Sequence, residues 1–330
     1  MIEHEFGSSP PGMLGVEEEL FFVDGETLEA AAGFSRVVGA ASENVKPEVF
    51  ESLVEVATGV LPGTEEVLRQ LCALRSEIAS RAASNGLLVY AAGTHPLSRW
   101  HDQAIVPVPR YRKLIASLGD AMRQQFVCGL HVHVSMPDAE TALRAFEAVV
   151  PWLPLLLALS ANSPFADGVD TGRRSERAER LLLLPTGGTP PVLRDWDDWR
   201  AAPDRHFDAW PRPEYGTLEV RVLDMQTDVR RSAGFAAIVR GLVSTVPRTV
   251  QEPYDRNLYV RRREEASRLP PDQAEVEALA ATIDSVLDAE DSALATLVLE
   301  GRPEAECQLE VAAADGITGV LRYVEERTLG

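Results

Sequence analysis

Carboxylates, imidazoles and a guanidinium recur in this chain at even spacings inside short apolar runs. Glu17 and Glu19 stand in Gly15-Val-Glu-Glu-Glu-Leu-Phe-Phe22, and Glu51 and Glu55 in the run that ends at Val56. His131 and His133 lie in Gly129-Leu-His-Val-His-Val-Ser135, and Glu219 and Arg221 in Thr217-Leu-Glu-Val-Arg-Val-Leu223. In extended backbone every second side chain shares a face, so each run shows its polar groups on one side. Phe21 and Val23 share the face of Glu17 and Glu19 by parity, which buries that face in part, and buried carboxylates need partners. Two carboxylates ~4 Å apart repel by ~4 kcal/mol at an effective dielectric of ~20. A cluster of Glu17, Glu19, Glu55 and Glu219 is therefore expected to hold cations. Hard Mg²⁺ or Mn²⁺, completed by water and phosphate oxygens, suits such a set.

His131-x-His133 admits three readings: a zinc pair, one ligand beside one hydrogen-bonding histidine, or two ordinary histidines. The remaining histidines, His4, His95, His101 and His206, have no spacing that completes a tetrahedral site, so a zinc hydrolase ranks last. Arg221 either pairs with Glu219 or reaches a phosphate. Ser160 to Phe165, Asp170-Thr-Gly172 and Ser175-x-Arg177 form a polar loop. Asn162, Ser163, Thr171 and Ser175 are expected there as substrate contacts, against the alternative of ordinary turn chemistry.

The bulk composition narrows the partners. Acidic residues number 51 against 32 basic ones, a formal charge of -19, which argues against nucleic acid and anionic membranes. Lys46 and Lys113 are the only lysines. Neither ends a Gly-rich Walker loop, and a pyridoxal lysine is improbable, so arginine must meet any bound phosphate or carboxylate. Cys72, Cys128 and Cys307 form no Cys-x-x-Cys pair and read as buried thiols in a reducing cytoplasm. The acidic start lacks a signal-peptide pattern, and Val149 to Ala161 is short for a membrane span and carries Pro151 and Pro154. Small molecules are the expected partners, with homo-oligomerisation left open.

Several elements must position these groups. Residues 1–12 read as a flexible leader and 13–330 as one domain. Strands are expected to Val23, near Phe50 to Val56, at Leu87 to Ala92, and through the histidine and Glu219 runs. Helices are expected from Thr64, as a cap, to Ser84, over 110–125, and from an Asp138 cap to Ser160 with a proline disturbance. A further helix is expected from Arg230 to Val246. Two more follow, one opened by Asp272 with Glu275 and one by Pro303. Residues 162–213 hold few periodic elements, and a loop that long is more often functional than idle. Strands interleaved unevenly with helices imply α+β with a mostly antiparallel sheet.

Taken together, the motifs resemble a known family, the YbdK-type carboxylate-amine ligases, also called type 2 glutamate-cysteine ligases. The resemblance rests on Leu14-Gly-Val-Glu-Glu-Glu-Leu20, Val45-Lys-Pro-Glu48, Glu55-Val-Ala-Thr58, Ala92-Gly-Thr-His-Pro96 and Cys128-Gly-Leu-His-Val-His-Val134. Leu157-Ala-Leu-Ser-Ala-Asn-Ser-Pro-Phe165, Asp170-Thr-Gly172 and Thr217-Leu-Glu-Val-Arg221 complete it. It implies a glutamine-synthetase-like catalytic fold: a curved, mostly antiparallel sheet with helices on one face and an active-site funnel on the other, binding ATP and divalent metal. It also implies amide formation through an acyl phosphate, typically on the γ-carboxylate of glutamate. By motif position Glu17, Glu19, Glu48, Glu55, His131 and Glu219 resemble metal ligands. Arg221 resembles a phosphate contact, and Arg177 a contact to phosphate or substrate carboxylate. Family members usually carry an Asp-x-Arg-Pro element in a longer segment before the Glu219 strand. Here Asp208-Ala-Trp-Pro211 occupies that place. That departure motivates the alternative of a non-catalytic descendant that binds nucleotide or amino acid.

Overall fold

The computed structural model describes residues 4–39, 42–202, 206–245 and 253–329. The alternating runs form one seven-stranded sheet: β1 Leu14–Asp24, β2 Val45–Pro47, β3 Leu53–Ala57, β4 Leu87–Tyr90, β5 Gly129–Ser135, β6 Ala209–Arg212 and β7 Thr217–Asp224. Their order is β6-β7-β5-β1-β3-β2, with β4 paired to the far half of β1, and every pairing is antiparallel. Of these strands β6, which falls in the 162–213 stretch read as loop, and β2 have no counterpart in the sequence reading. Three residues holding Lys46 and Pro47 carry too little alternation to read.

The helices used below are α1 Thr64–Ala83, α2 Ala139–Val149, α3 Leu153–Ser160, α4 Glu176–Leu181, α5 Val229–Ser244, α6 Arg256–Ala266, α7 Gln273–Ile283, α8 Ala289–Leu299 and α9 Glu304–Thr328, with shorter ones between them. Even-numbered residues of the central strands, Val16, Val132, Val134, Leu218 and Val220, are at most 1% exposed and share one core with α2, α3 and α5. Burial of each such side chain is worth about 1.5–3 kcal/mol. Glu18 lies among the even-numbered residues of β1 and is fully buried there. Its two oxygens accept from Arg75 Nε and Nη2 of α1, both at 2.7 Å, and from the Ser232 hydroxyl of α5 at 2.6 Å. The middle glutamate of the triplet therefore fastens the sheet to its helices, while Glu17 and Glu19 stay on the opposite face.

Other differences from the sequence reading have local causes. Residues 4–12, expected to be loose, are held along the sheet: Glu5 N donates to Pro213 O, Gly7 N to Met136 O and Gly12 N to Ser135 O, and Phe6 enters the core. Thr64 is the first helical residue rather than the cap, because its hydroxyl donates to Asp291 at 2.5 Å. The 110–125 helix breaks at Gly119, whose φ of 57° requires glycine, into Pro109–Leu118 and Asp120–Arg123. The C-terminal region holds α8 between the two expected helices, capped by Asp288, which accepts from Glu290 N and Asp291 N. Asp138 caps α2 as expected, and Pro151 and Pro154 turn the chain through a 3₁₀ step into α3. Of the helix expected to reach Val246, the described part ends at Ser244; Val246 lies outside the described residues.

Candidate active site

Register brings the polar residues of the open face into a diagonal row across five strands. Glu219 of β7 pairs with His133 of β5, His131 with Glu17 of β1, Glu19 with Glu55 of β3, and Glu55 with Lys46 of β2. Side chains then meet across the strands. His131 Nδ1 lies 3.1 Å from Glu17 Oε2, and His133 Nε2 lies 3.9 Å from Glu17 Oε2 and 3.6 Å from Glu219 Oε1. Lys46 Nζ donates to Glu55 Oε1 at 2.9 Å, and Gly129 N to Glu19 Oε2 at 2.6 Å. At the other end, the Glu219 oxygens are taken separately by Arg212 Nε and Arg221 Nη1.

The row is polarised. Glu48, which follows β2, joins Glu19 and Glu55 in a group whose ligand atoms lie within 4.8 Å of one another, and Glu17, His133 and Glu219 form a second such group. Burial, then the charges of Glu19 and Glu55, pushes the Glu48 carboxyl well above its ordinary range. Burial and Glu17 likewise raise Glu55, with Lys46 offsetting only part. Burial works to raise Glu17 and Glu219 too. Hydrogen bonds and charge from His131 and His133 outweigh it at Glu17, and Arg221, His133 and Arg212 outweigh it at Glu219, so both lie far below the usual range. Five carboxylates face three fixed cations, Lys46, Arg212 and Arg221, leaving a net negative floor. The buried Nε2 atoms of His131 and His133 have no hydrogen-bond partner. Unpaired imidazole nitrogen beside clustered carboxylate oxygens is a donor set that fits divalent cations. Both histidines are placed to contribute, and His133, which the motif reading passed over for His131, is the one inside a three-residue group.

The polar loop does different work from that expected. Asp224, at the end of β7, is fully buried. Its carboxylate accepts from Ser163 Oγ at 2.6 Å, Ser175 Oγ at 2.8 Å and Asn162 N at 2.9 Å. The Asn162 side chain is spent on Met225 O and Gln308 Nε2, and Thr171 Oγ1 on Pro164 O. These groups join the loop to β7 and to α9. Arg177 is 2% exposed, and its guanidinium donates to the carbonyls of Arg221 at 3.0 Å and Val222 at 3.3 Å. Those carbonyls belong to a bulge between Val220 and Leu223, whose amides, Arg221 N and Val222 N, both donate to Asp208 O. Arg177 is therefore tied to the backbone that carries Arg221. The bulge, Asp224 and Arg212 carried no sequence signal beyond their residue types, because partners 7 to 64 residues away define them.

A model of glutamate-cysteine ligase family 2 matches residues 13–327. The chain belongs to that family. Among curated relatives it is 32% identical over 345 residues, 98% of this chain and 89% of the relative, to a protein of Rubrobacter xylanophilus named "Putative glutamate--cysteine ligase 2-1". It is 37% identical over 261 residues, 74% of this chain and 72% of the relative, to "Putative glutamate--cysteine ligase 2-3" of the same organism. Among solved structures, the glutamate-cysteine ligase of Francisella tularensis in complex with AMP superposes with a TM-score of 0.73 at 12% identity, over 97% of this chain and 89% of that one. That likeness gives the fold, and it bears out the glutamine-synthetase-like α+β expectation. As a family 2 member the chain is a carboxylate-amine ligase of the glutamate-cysteine ligase type. Against the family's Asp-x-Arg-Pro element, Trp210 is fully buried, 4.9 Å from Phe207 and stacked 6.1 Å from Trp199 by ring centroids. Asp208 is kept for structure, accepting from Tyr259 Oη and Arg263 Nε, both at 2.6 Å.

Proposed function

We propose that residues 13–330 act as one catalytic unit that joins the γ-carboxylate of glutamate to cysteine or another amine, at the expense of ATP. The observation that carries this reading is the polarised row: a carboxylate and imidazole end able to hold cations and a guanidinium end able to hold a phosphoryl group, on one face of one sheet. In the proposed reaction a carboxylate oxygen attacks the γ-phosphorus, and the bond to the bridging oxygen breaks to give ADP and an acyl phosphate. The amine nitrogen then attacks the acyl carbon, phosphate leaves, and the nitrogen loses a proton to give the amide. Transfer of this kind needs alignment and charge neutralisation more than a protein nucleophile, and the row offers no activated serine, cysteine or lysine.

Divalent cations held by Glu17, Glu19, Glu48, Glu55, His131, His133 and Glu219 would neutralise the triphosphate. The chain's own groups do the rest. Glu18 fixes β1 from behind through Arg75, so Glu17 and Glu19 keep their spacing. Arg177 and Asp208 fix the β7 bulge, so Arg221 is aimed at the row. Lys46 balances Glu55 and Glu17 from the open side, where its side chain is 45% exposed. The test is ADP release with Mg²⁺, ATP and glutamate over a panel of amines, with product mass read alongside. Metal-dependent ATP binding without ADP formation for any acceptor would instead favour the non-catalytic reading that Trp210 motivates.

A further inference from the structure

We propose that Arg212, at the end of β6, grips the phosphoryl group in transit. The inference rests on the ligase reading and adds a residue to it. Trp210 is packed among Trp199, Phe207 and Phe146 and presents nothing to a ligand. Arg212 is paired in register with Thr217, and Glu219 lies two residues on in β7. That diagonal is within reach of a long side chain. Arg212 Nε takes one Glu219 oxygen while Arg221 Nη1 takes the other, so two guanidinium groups converge on one buried carboxylate, and each keeps further N–H donors that an anion could take.

Exposure shows which groups meet that anion. The Glu219 side chain is 1% exposed, whereas those of Arg212 and Arg221 are 17% and 20% exposed, so the guanidinium pair forms the accessible surface. Glu214, 44% exposed and 3.6 Å from Arg212 Nη1, is the one other acid paired with Arg212 among the described residues. The backbone that carries Arg212 is held firmly. Tyr215 N donates to Arg212 O, Gly216 N to Pro213 O, and Glu5 N to Pro213 O. Gly216 adopts φ 64° with the Glu5 carbonyl against its α-carbon, where no side chain would fit. A planar guanidinium fork matches the oxygens of a phosphoryl group, over which charge is spread in the transition state.

The test uses the full chain with Mg²⁺, comparing wild type, Arg212→Ala and Arg212→Lys. Calorimetry measures affinity for ADP and for a non-hydrolysable ATP analogue, and ADP release measures kcat. The expected result for Arg212→Ala is about tenfold weaker binding of the triphosphate analogue, unchanged ADP affinity, and a kcat lower by ~10²-fold. Arg212→Lys, which keeps the charge without the fork, falls between and carries the same comparison if the alanine variant does not fold. Equal loss of ADP and analogue affinity would overturn the proposal, because Arg212 would then only hold Glu219. Unchanged affinities and rate would overturn it as well. Wild-type protein that binds neither nucleotide would bring down the ligase reading itself, whereas normal wild-type turnover with a normal Arg212→Ala variant would bring down Arg212 alone.

Discussion

At the scale of single residues, groups that must stay charged contrast with one elsewhere in the fold that must stay neutral. Glu17 and Glu219 are held as carboxylates by their neighbours, and each belongs to the same candidate cation group. Glu17→Gln and Glu219→Gln keep the shape and remove the charge. Each is expected to lower the rate of ADP release by on the order of 10²-fold or more, and activity unchanged in either would remove the site. His95 is the contrasting case. Its Nε2 lies 2.9 Å from Leu28 O, and its Nδ1 accepts from Leu97 N and Ser98 N. Both nitrogens are thus used by one neutral tautomer, and protonation of Nδ1 would break two acceptor bonds. Burial lowers its pKa to about 4. Between that value and the ordinary 6.5 the unfolded chain binds the extra proton, so stability rises with pH across this window. It is lost as pH falls, by on the order of 3 kcal/mol in full and about 2 kcal/mol by pH 5. Urea denaturation at pH 7 and pH 5 checks this against His95→Gln. An equal pH slope in the two proteins would show that His95 is not its source.

Among the elements, β1 is held from both faces at once, and its fastening can be tested. Arg75 Nη1 also donates to the carbonyls of Thr227 and Thr328, and Nη2 to Gln226 O, so one guanidinium joins α1, β1, the start of α5 and the end of α9. Arg75→Ala strands the buried Glu18 carboxylate and is expected to cost about 3–5 kcal/mol, read as a lowered urea midpoint. A loss below about 1 kcal/mol would mean that Glu18 is solvated or repartnered. At the other end of the row, a methyl group at Gly129 would land on the Arg177 guanidinium. Gly129→Ala should therefore disturb the β7 bulge and lower kcat more than it lowers thermal stability; full activity would show that Arg221 does not depend on Arg177. These elements also mark what sequence could reveal. Period-two alternation exposes β1, β5 and β7 and the residues on their open face, because each strand declares its own faces. The buried cluster around Asp224 stayed hidden, since Asn162, Ser163 and Ser175 carry the same signature whether they bind a ligand or a distant aspartate. The bonds from Arg177 to the carbonyls of Arg221 and Val222 stay hidden for the same reason: a guanidinium near the site in sequence looks identical whether it meets phosphate or backbone carbonyls.

Over the whole molecule, an excess of acidic charge is tolerable on an exposed surface, where solvent and salt screen it, and costly where it converges. Glu48, Glu55 and Glu19 converge in a half-buried group in which Lys46 bonds Glu55. The fold therefore carries repulsion at this end of the row, of the order of ~4 kcal/mol per pair at ~4 Å in an effective dielectric of ~20. Bound divalent cations would relieve it, which couples stability to metal. At a Mg²⁺ concentration a hundredfold above its dissociation constant the native state should gain about 2.7 kcal/mol, a rise in Tm of roughly 4 °C for a chain of this size, reversed by chelation. Glu48→Gln separates this from a nonspecific salt effect. Removing one of the repelling charges should raise the Tm of metal-free protein while shrinking the Mg²⁺-induced rise, so the two melting curves converge as metal is added. A uniform destabilisation in both conditions would mean that Glu48 serves packing alone. A Mg²⁺ shift that NaCl of equal ionic strength reproduces would mean that no specific cation site exists at this end of the row.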